Sequence, residues 1–168
     1  MIVLSKYVSD IFMAALVIFY IWGVLKKDEK AKDITVDTFV ITVINLILSY
    51  VIGAVYYVPR PFVHQKVNLL FSHVIDASFP SDHAIGTMSI AVGMNRYNKL
   101  FGKLLMILSI LVGISRVYVG HHFPSDVIGG YLIVLATNYL YRYIVKGKIQ
   151  TIYFKVKGFL ANYIPVLR

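Results

Sequence analysis

Two short segments hold most of the side chains able to do chemistry. One is Ser115-Arg116-Val117-Tyr118-Val119-Gly120-His121-His122-Phe123-Pro124-Ser125-Asp126. The other begins Pro59-Arg60-Pro61-Phe62, continues through His64, Lys66, His73 and Asp76, and ends Ser78-Phe79-Pro80-Ser81-Asp82-His83. Two arginines make forked donors for the oxygens of a phosphate. Ser81 has the residue type of a helix N-cap, and the free amides that follow it would face an anion. His122 and Asp126 are four residues apart around Pro124, a residue favoured at the first helical position. That spacing lets Asp126 accept a hydrogen bond from His122, which would fix the tautomer and sharpen the ring as a nucleophile. His83 is a second histidine, suited to protonating a leaving oxygen. Together these parts describe phosphoryl transfer to a histidine. A metal centre is the competing chemistry, but two arginines would repel the cation and no HExxH pattern is present. With no cysteine, zinc–thiolate sites, iron–sulfur clusters, disulfides and thiol nucleophiles are excluded. No metal and no cofactor is expected.

The elements that must position these groups are apolar. The 168 residues are 58% hydrophobic and 15% charged, with a mean hydropathy of +0.72. Soluble domains average about 45–50% and about 25%, so the composition points to a polytopic membrane protein. Five apolar stretches stand out, at 7–25, 34–58, 84–94, 104–119 and 127–145. A span needs ~20 apolar residues, so the third and fourth require polar flanks buried in protein. No basic region with a small-residue cleavage site opens the chain, so the first stretch is expected to stay in the membrane. No repeat or linker divides it, and residues 1–168 read as one domain. The fold class expected is an all-α transmembrane bundle of five or six spans. The uncertain sixth is residues 150–168, which also read as an interfacial amphipathic helix.

Charge orients the spans. Lys26, Lys27, Lys30 and Lys32, then Arg96, Lys99 and Lys103, then Arg142, Lys146, Lys148, Lys155, Lys157 and Arg168 make 13 of the 17 basic residues. With five spans all three groups fall on one side, which is cytoplasmic by the positive-inside rule. The C-terminus is then cytoplasmic, and all five histidines fall outside with Arg60 and Arg116. The net charge of +9 thus reads as anchoring to an anionic leaflet rather than nucleic-acid binding. Ionisable groups at helix ends near a membrane are functional candidates by default.

These residues resemble the motifs of the type 2 phosphatidic acid phosphatase superfamily, written KxxxxxxRP, PSGH and SRxxxxxHxxxD. The third is complete from Ser115-Arg116 through His122 to Asp126. The second reads Pro80-Ser81-Asp82-His83, and the first keeps Arg60-Pro61. Within the superfamily the stretch Asp76-Ala77-Ser78-Phe79-Pro80-Ser81-Asp82-His83 is similar to the bacitracin-resistance type of undecaprenyl-diphosphate phosphatase, where aspartate replaces the motif glycine. The motif lysine falls on Gly53, so one phosphate-binding cation is missing, with Lys66 a candidate replacement.

The resemblance implies a metal-independent hydrolase of the bacterial plasma membrane with its site at the extracytoplasmic helix ends. Undecaprenyl diphosphate would be cleaved to the monophosphate and inorganic phosphate, recycling the cell-wall carrier and conferring bacitracin resistance. His122 would attack phosphorus, Asp126 would orient it, and His83 would serve as acid and then base. Arg60, Ser81, Asp82 and Arg116 would hold phosphate oxygens. Ser115, His121, His73 and Asp76 are further candidates. The lipid tail is expected to stay in the bilayer through a gap between the second and third spans. Phosphatidylglycerophosphate or another lipid phosphate is the alternative substrate, and a non-catalytic transport or lipid-binding protein is the alternative class. Oligomeric state is not legible.

Overall fold

The computed structural model describes residues 1–145 and Thr151. Its burial pattern is the reverse of a soluble domain's. Large apolar side chains such as Leu25, Tyr50 and Val55 lie outside, while Thr38, Thr42, Asn45, Thr87, Ser89 and Ser109 are buried. Lipid tails are as apolar as leucine, so helix seams in a membrane are made of small and polar side chains that pack closely and bond across. The chain runs α1 (Ile2–Leu25), α2 (Glu29–Val55), α3 (Pro61–His64), α4 (Asp82–Met94), α5 (Lys99–Tyr118) and α6 (Pro124–Leu140), and a π-helical turn, Tyr141–Val145, continues α6. Among the described residues there is no strand, only one isolated bridge between Pro59 and Ala77.

The all-helical expectation holds, and each of the five apolar stretches is a helix. α1, α2 and α5 have the length and hydropathy to cross a membrane. α4 has 13 residues, roughly 20 Å at ~1.5 Å per residue, short of the ~30 Å hydrocarbon core. Its flanks are therefore held by protein, as its length required. α3 had no signature in the sequence, being one turn started by Pro61. The segment 150–168, apart from Thr151, lies outside the described residues.

α4 is the centre of the bundle. Ile90, Ala91 and Met94 pack with Val8, Phe12 and Leu16 of α1 and Val112 of α5. Against α2 the seam is polar: Asn45 Nδ2 donates to Ser89 Oγ at 2.8 Å and Ser49 Oγ to Asp82 Oδ1 at 2.5 Å. Thr87 and Ser109 hydroxyls bond at 2.8 Å across α4 and α5. The hydroxyls of Thr35, Thr38 and Thr42 bond back to the carbonyl four residues earlier, which satisfies them within α2. The expected gap between the second and third spans is closed where Asn45 meets Ser89. A cavity of about 220 Å³ opens instead beside it, with Ser9, Asp10 and Met13 of α1, Leu46 of α2, and Asp82 and His83 of α4 in its wall.

At the opposite end from Arg60 and His122 the helices are tied by charge. Buried Asp37 accepts from Arg96 Nη1 and from Tyr141 Oη, both at 3.2 Å. Tyr97 Oη donates to Asp28 Oδ2 at 2.9 Å, while Asp28 Oδ1 also caps α2 through the Ala31 amide. These bonds bring the α1–α2 connection, the α4–α5 turn and the end of α6 together. The basic groups at Lys26–Lys32 and Arg96–Lys103 therefore sit at one end of the bundle, as the charge pattern required.

Candidate active site

The site forms where the connection from α2 to α4 meets the connection from α5 to α6. α5 ends at Tyr118, and Gly120 turns the chain at φ +83°, a left-handed conformation that glycine adopts without strain. His121 and His122 follow, and both are buried. Pro124 then starts α6, and Asp126 Oδ2 accepts from the Phe123 amide at 2.8 Å, closing the helix start. His122 and Asp126 are thus fixed on a capped junction rather than on a free loop.

His122 is 3% exposed. Its Nε2 lies 3.0 Å from Arg60 Nη1, and its Nδ1 lies 2.8 Å from the Ser78 carbonyl oxygen. A guanidinium only donates and a carbonyl only accepts. Nε2 therefore carries the lone pair and Nδ1 the proton. Burial is the main influence holding His122 below the ordinary imidazole range; Arg60 and Arg116 add to it and Asp126 opposes it.

Asp126 stands differently from the expectation. Its Oδ2 is 3.6 Å from His122 Nδ1, too long for a hydrogen bond. It accepts instead from Ser78 Oγ at 2.5 Å and from the Phe123 amide. The Nδ1 proton goes to the Ser78 backbone, and the carboxylate supplies a nearby negative charge. Ser78, to which the motifs give no role, thus braces both members of the pair.

Both arginines are buried. Arg60 precedes Pro61 and caps α3. It donates from Nη1 to the His121 carbonyl at 3.0 Å and from Nε to Asp76 Oδ1 at 2.5 Å. Arg116, in the last turn of α5, donates from Nη1 to Ser5 O at 3.1 Å and Ser5 Oγ at 3.0 Å. Its Nε and Nη2 have no hydrogen-bond partner among the described residues. Ser81 occupies the N-cap position of α4, but its hydroxyl caps nothing. That buried oxygen is likewise without a partner. Unpaired buried donors are rare, and these three are of the kind that suits the oxygens of an anion.

The remaining candidates divide. His83, half-buried in the first turn of α4, opens onto the cavity beside α1. Asp82 is held by Ser49. Ser115 Oγ is spent on the Val112 carbonyl at 2.6 Å. His121 lies against Phe71, with ring centroids 4.4 Å apart, and His73, at 4.6 Å, and its Nε2 is 3.0 Å from Phe71 O. Burial pushes it down to about 4, a neutral packing ring. Lys66 is exposed in the loop and makes no hydrogen bond or ion pair with the cluster, and His64 is exposed as well.

Gly53, where the motif lysine falls, lies against the same loop. A Cβ there would meet Ala77 Cβ at 3.0 Å and Phe79 O at 3.4 Å. α2 thus passes close to the loop here, and a side chain at this position would press on Ala77. Beside it a cavity of about 320 Å³ is walled by Ser49, Tyr57, Asp76 and Asp82. Among the described residues no three His, Cys, Asp or Glu side chains are grouped as a metal site requires.

Fold and site together define a polytopic helical membrane protein with two buried arginines and a buried histidine at one end of its bundle. Residues 34–150 match the PAP2 superfamily, and the chain belongs to it. The undecaprenyl-diphosphatase BcrC of Bacillus subtilis is 35% identical over 141 residues, 84% of this chain and 71% of that protein. The putative undecaprenyl-diphosphatase YbjG of Escherichia coli is 29% identical over 132 residues, 78% of this chain and 65% of that one. The chain therefore spans about two thirds of the length of these relatives. A crystal structure of a transmembrane PAP2 type phosphatidylglycerolphosphate phosphatase from Bacillus subtilis aligns over 83% of this chain and 79% of that one, with TM-score 0.49 and 21% identity. The chain is a membrane phosphatase by family.

Proposed function

We propose that the protein hydrolyses undecaprenyl diphosphate to undecaprenyl phosphate and inorganic phosphate through a phosphohistidine. The reading rests on one observation above the others: His122 Nε2 bears the lone pair beside a guanidinium, while its Nδ1 proton is held by Ser78. In this reading Nε2 attacks the terminal phosphorus as the anhydride P–O bond breaks. His83, as the imidazolium, gives its proton to the departing lipid phosphate and is left neutral. Water then attacks the phosphohistidine, His83 takes the water's proton, and the N–P bond breaks to release phosphate. Arg60, Arg116, Ser81 and the amides that start α4 hold the equatorial oxygens, and Asp126 balances charge that develops on His122. The catalytic work is positioning and charge stabilisation. The site faces the outside of a bacterial plasma membrane, with the C-terminus in the cytoplasm, and turnover recycles the cell-wall carrier and blunts bacitracin.

Phosphate release by the purified full chain in detergent, with excess EDTA, tests this. Undecaprenyl diphosphate is expected to exceed phosphatidylglycerophosphate at least tenfold in kcat/KM. The reverse ratio would move the assignment to the glycerophospholipid, and no release from either, by folded protein, would favour a binding or transport role.

A pH profile follows from the buried ring. Attack needs Nε2 unprotonated, and the surroundings of His122 lower its proton affinity. A depressed value means the neutral form persists to more acid pH. Once substrate ionisation is separated, the acid limb of kcat/KM is expected below pH 6.5, and a limb above 6.5 would contradict this environment.

A further inference from the structure

Asp76 is exposed, with a side chain 51% accessible, yet it holds the buried Arg60 through Nε. We infer that Asp76 is a positioning residue for phosphoryl transfer: it fixes Arg60 so that one guanidinium nitrogen guards His122 Nε2 until a phosphoryl oxygen takes its place. This rests on the reading of the site as a phosphatase.

The geometry carries the inference. Arg60 has three separate engagements. Nε is held by Asp76, while Nη1 serves both the His121 carbonyl and His122 Nε2. A nucleophile whose lone pair is engaged by an N–H cannot attack. An arriving phosphoryl oxygen competes for that N–H as a stronger, charged acceptor, and taking it frees Nε2 at the moment the electrophile is beside it. The exchange requires that Arg60 stay in place while its Nη1 changes partner. Asp76 and the His121 carbonyl are the two anchors able to keep it there, and only Asp76 carries charge. Asp76 is itself anchored nearby. It lies next to Ala77, which bridges to Pro59, and the Ser78 amide bonds to the Val58 carbonyl at 2.7 Å. The loop thus returns to the chain immediately before Arg60.

Charge gives the inference a distinctive signature. Asp76 is an anion close to where an anionic substrate sits. Removing its charge should loosen Arg60, slowing the chemical step, and at the same time lessen repulsion of phosphate. Ground-state binding and turnover are then expected to move apart.

The experiment compares wild type with Asp76→Asn and Asp76→Glu in detergent. It measures kcat on undecaprenyl diphosphate and the inhibition constant of inorganic phosphate. Asp76→Asn is expected to lose at least tenfold in kcat while phosphate inhibits as tightly as in wild type or more tightly. Asp76→Glu, which keeps the charge, is expected to recover at least a third of the turnover. A kcat within twofold of wild type in Asp76→Asn would overturn the inference. So would a kcat loss accompanied by weaker phosphate inhibition, since a collapsed loop would produce both. Absence of turnover in wild type is a different failure, that of the phosphatase reading. In that event phosphate binding by calorimetry still decides the charge effect, and weaker binding to Asp76→Asn would count against it.

Discussion

His122→Ala is expected to lower phosphate release by at least about 10³-fold, on the scale seen when an activated nucleophile is removed. The reasoning starts from hydrogen-bond roles. Arg60 fixes the lone pair on Nε2, and Ser78 fixes the proton on Nδ1. His83 stands in another element, on the cavity beside α1, and cannot replace a nucleophile held at the α5–α6 junction. Arg60 keeps Asp76 and the His121 carbonyl in the variant, so the loss is chemical rather than a collapse of the site. Unchanged thermal unfolding and gel-filtration behaviour would establish that. Quenching wild type with labelled substrate in alkali, beside a parallel acid quench, separates the alternatives further. A phosphohistidine is labile in acid and stable in alkali, so label should survive an alkaline quench and be absent from His122→Ala. Turnover of the variant within tenfold of wild type would assign the nucleophile elsewhere, and EDTA-sensitive residual activity would point to a bound metal hydroxide.

What the sequence disclosed, and what it withheld, divides by range. His122, Asp126, Pro124 and Gly120 were legible because they form one local unit, a turn running into a capped helix. The five apolar stretches were legible because lipid imposes apolarity on long segments. The contacts that make the unit a site come from far along the chain. Ser78 is 44 residues from His122, and Ser5 is 111 from Arg116. Serines in a membrane helix carry no signal of their partners, because the same residue serves as seam packing, as Ser89 does, or as a ligand to a charge, as Ser5 does. Ser81 misled in the opposite way. Its type and place read as a cap, and its hydroxyl is left unbonded, which packing decides and spacing does not. Gly53 reads as a lost cation, and the sequence carries no sign that α2 passes close to Ala77 and Phe79 at this position.

Arg116→Met is expected to abolish turnover, by at least about 10³-fold, and to raise the melting temperature of the ligand-free protein. Arg116 is 1% exposed, and only its Nη1 is bonded, to Ser5. Nε and Nη2 have no partner among the described residues. A buried charge with unmade hydrogen bonds costs several kcal/mol, and a methionine of similar length removes that burden while filling the space. An anion beside Arg116 would complete its hydrogen bonds and offset its charge. Inorganic phosphate or vanadate should therefore stabilise wild type, by about 2.7 kcal/mol at a hundredfold excess over Kd, and leave Arg116→Met unaffected. Thermal unfolding of both proteins with and without the anion reads all of this in one experiment. A variant less stable than wild type would mean that Arg116 is chiefly a structural tie between α5 and Ser5 of α1. An anion shift that persists in the variant would place the phosphate on Arg60 alone. A stabilised, inactive and anion-blind variant would identify Arg116 as a residue kept for binding at the expense of the fold.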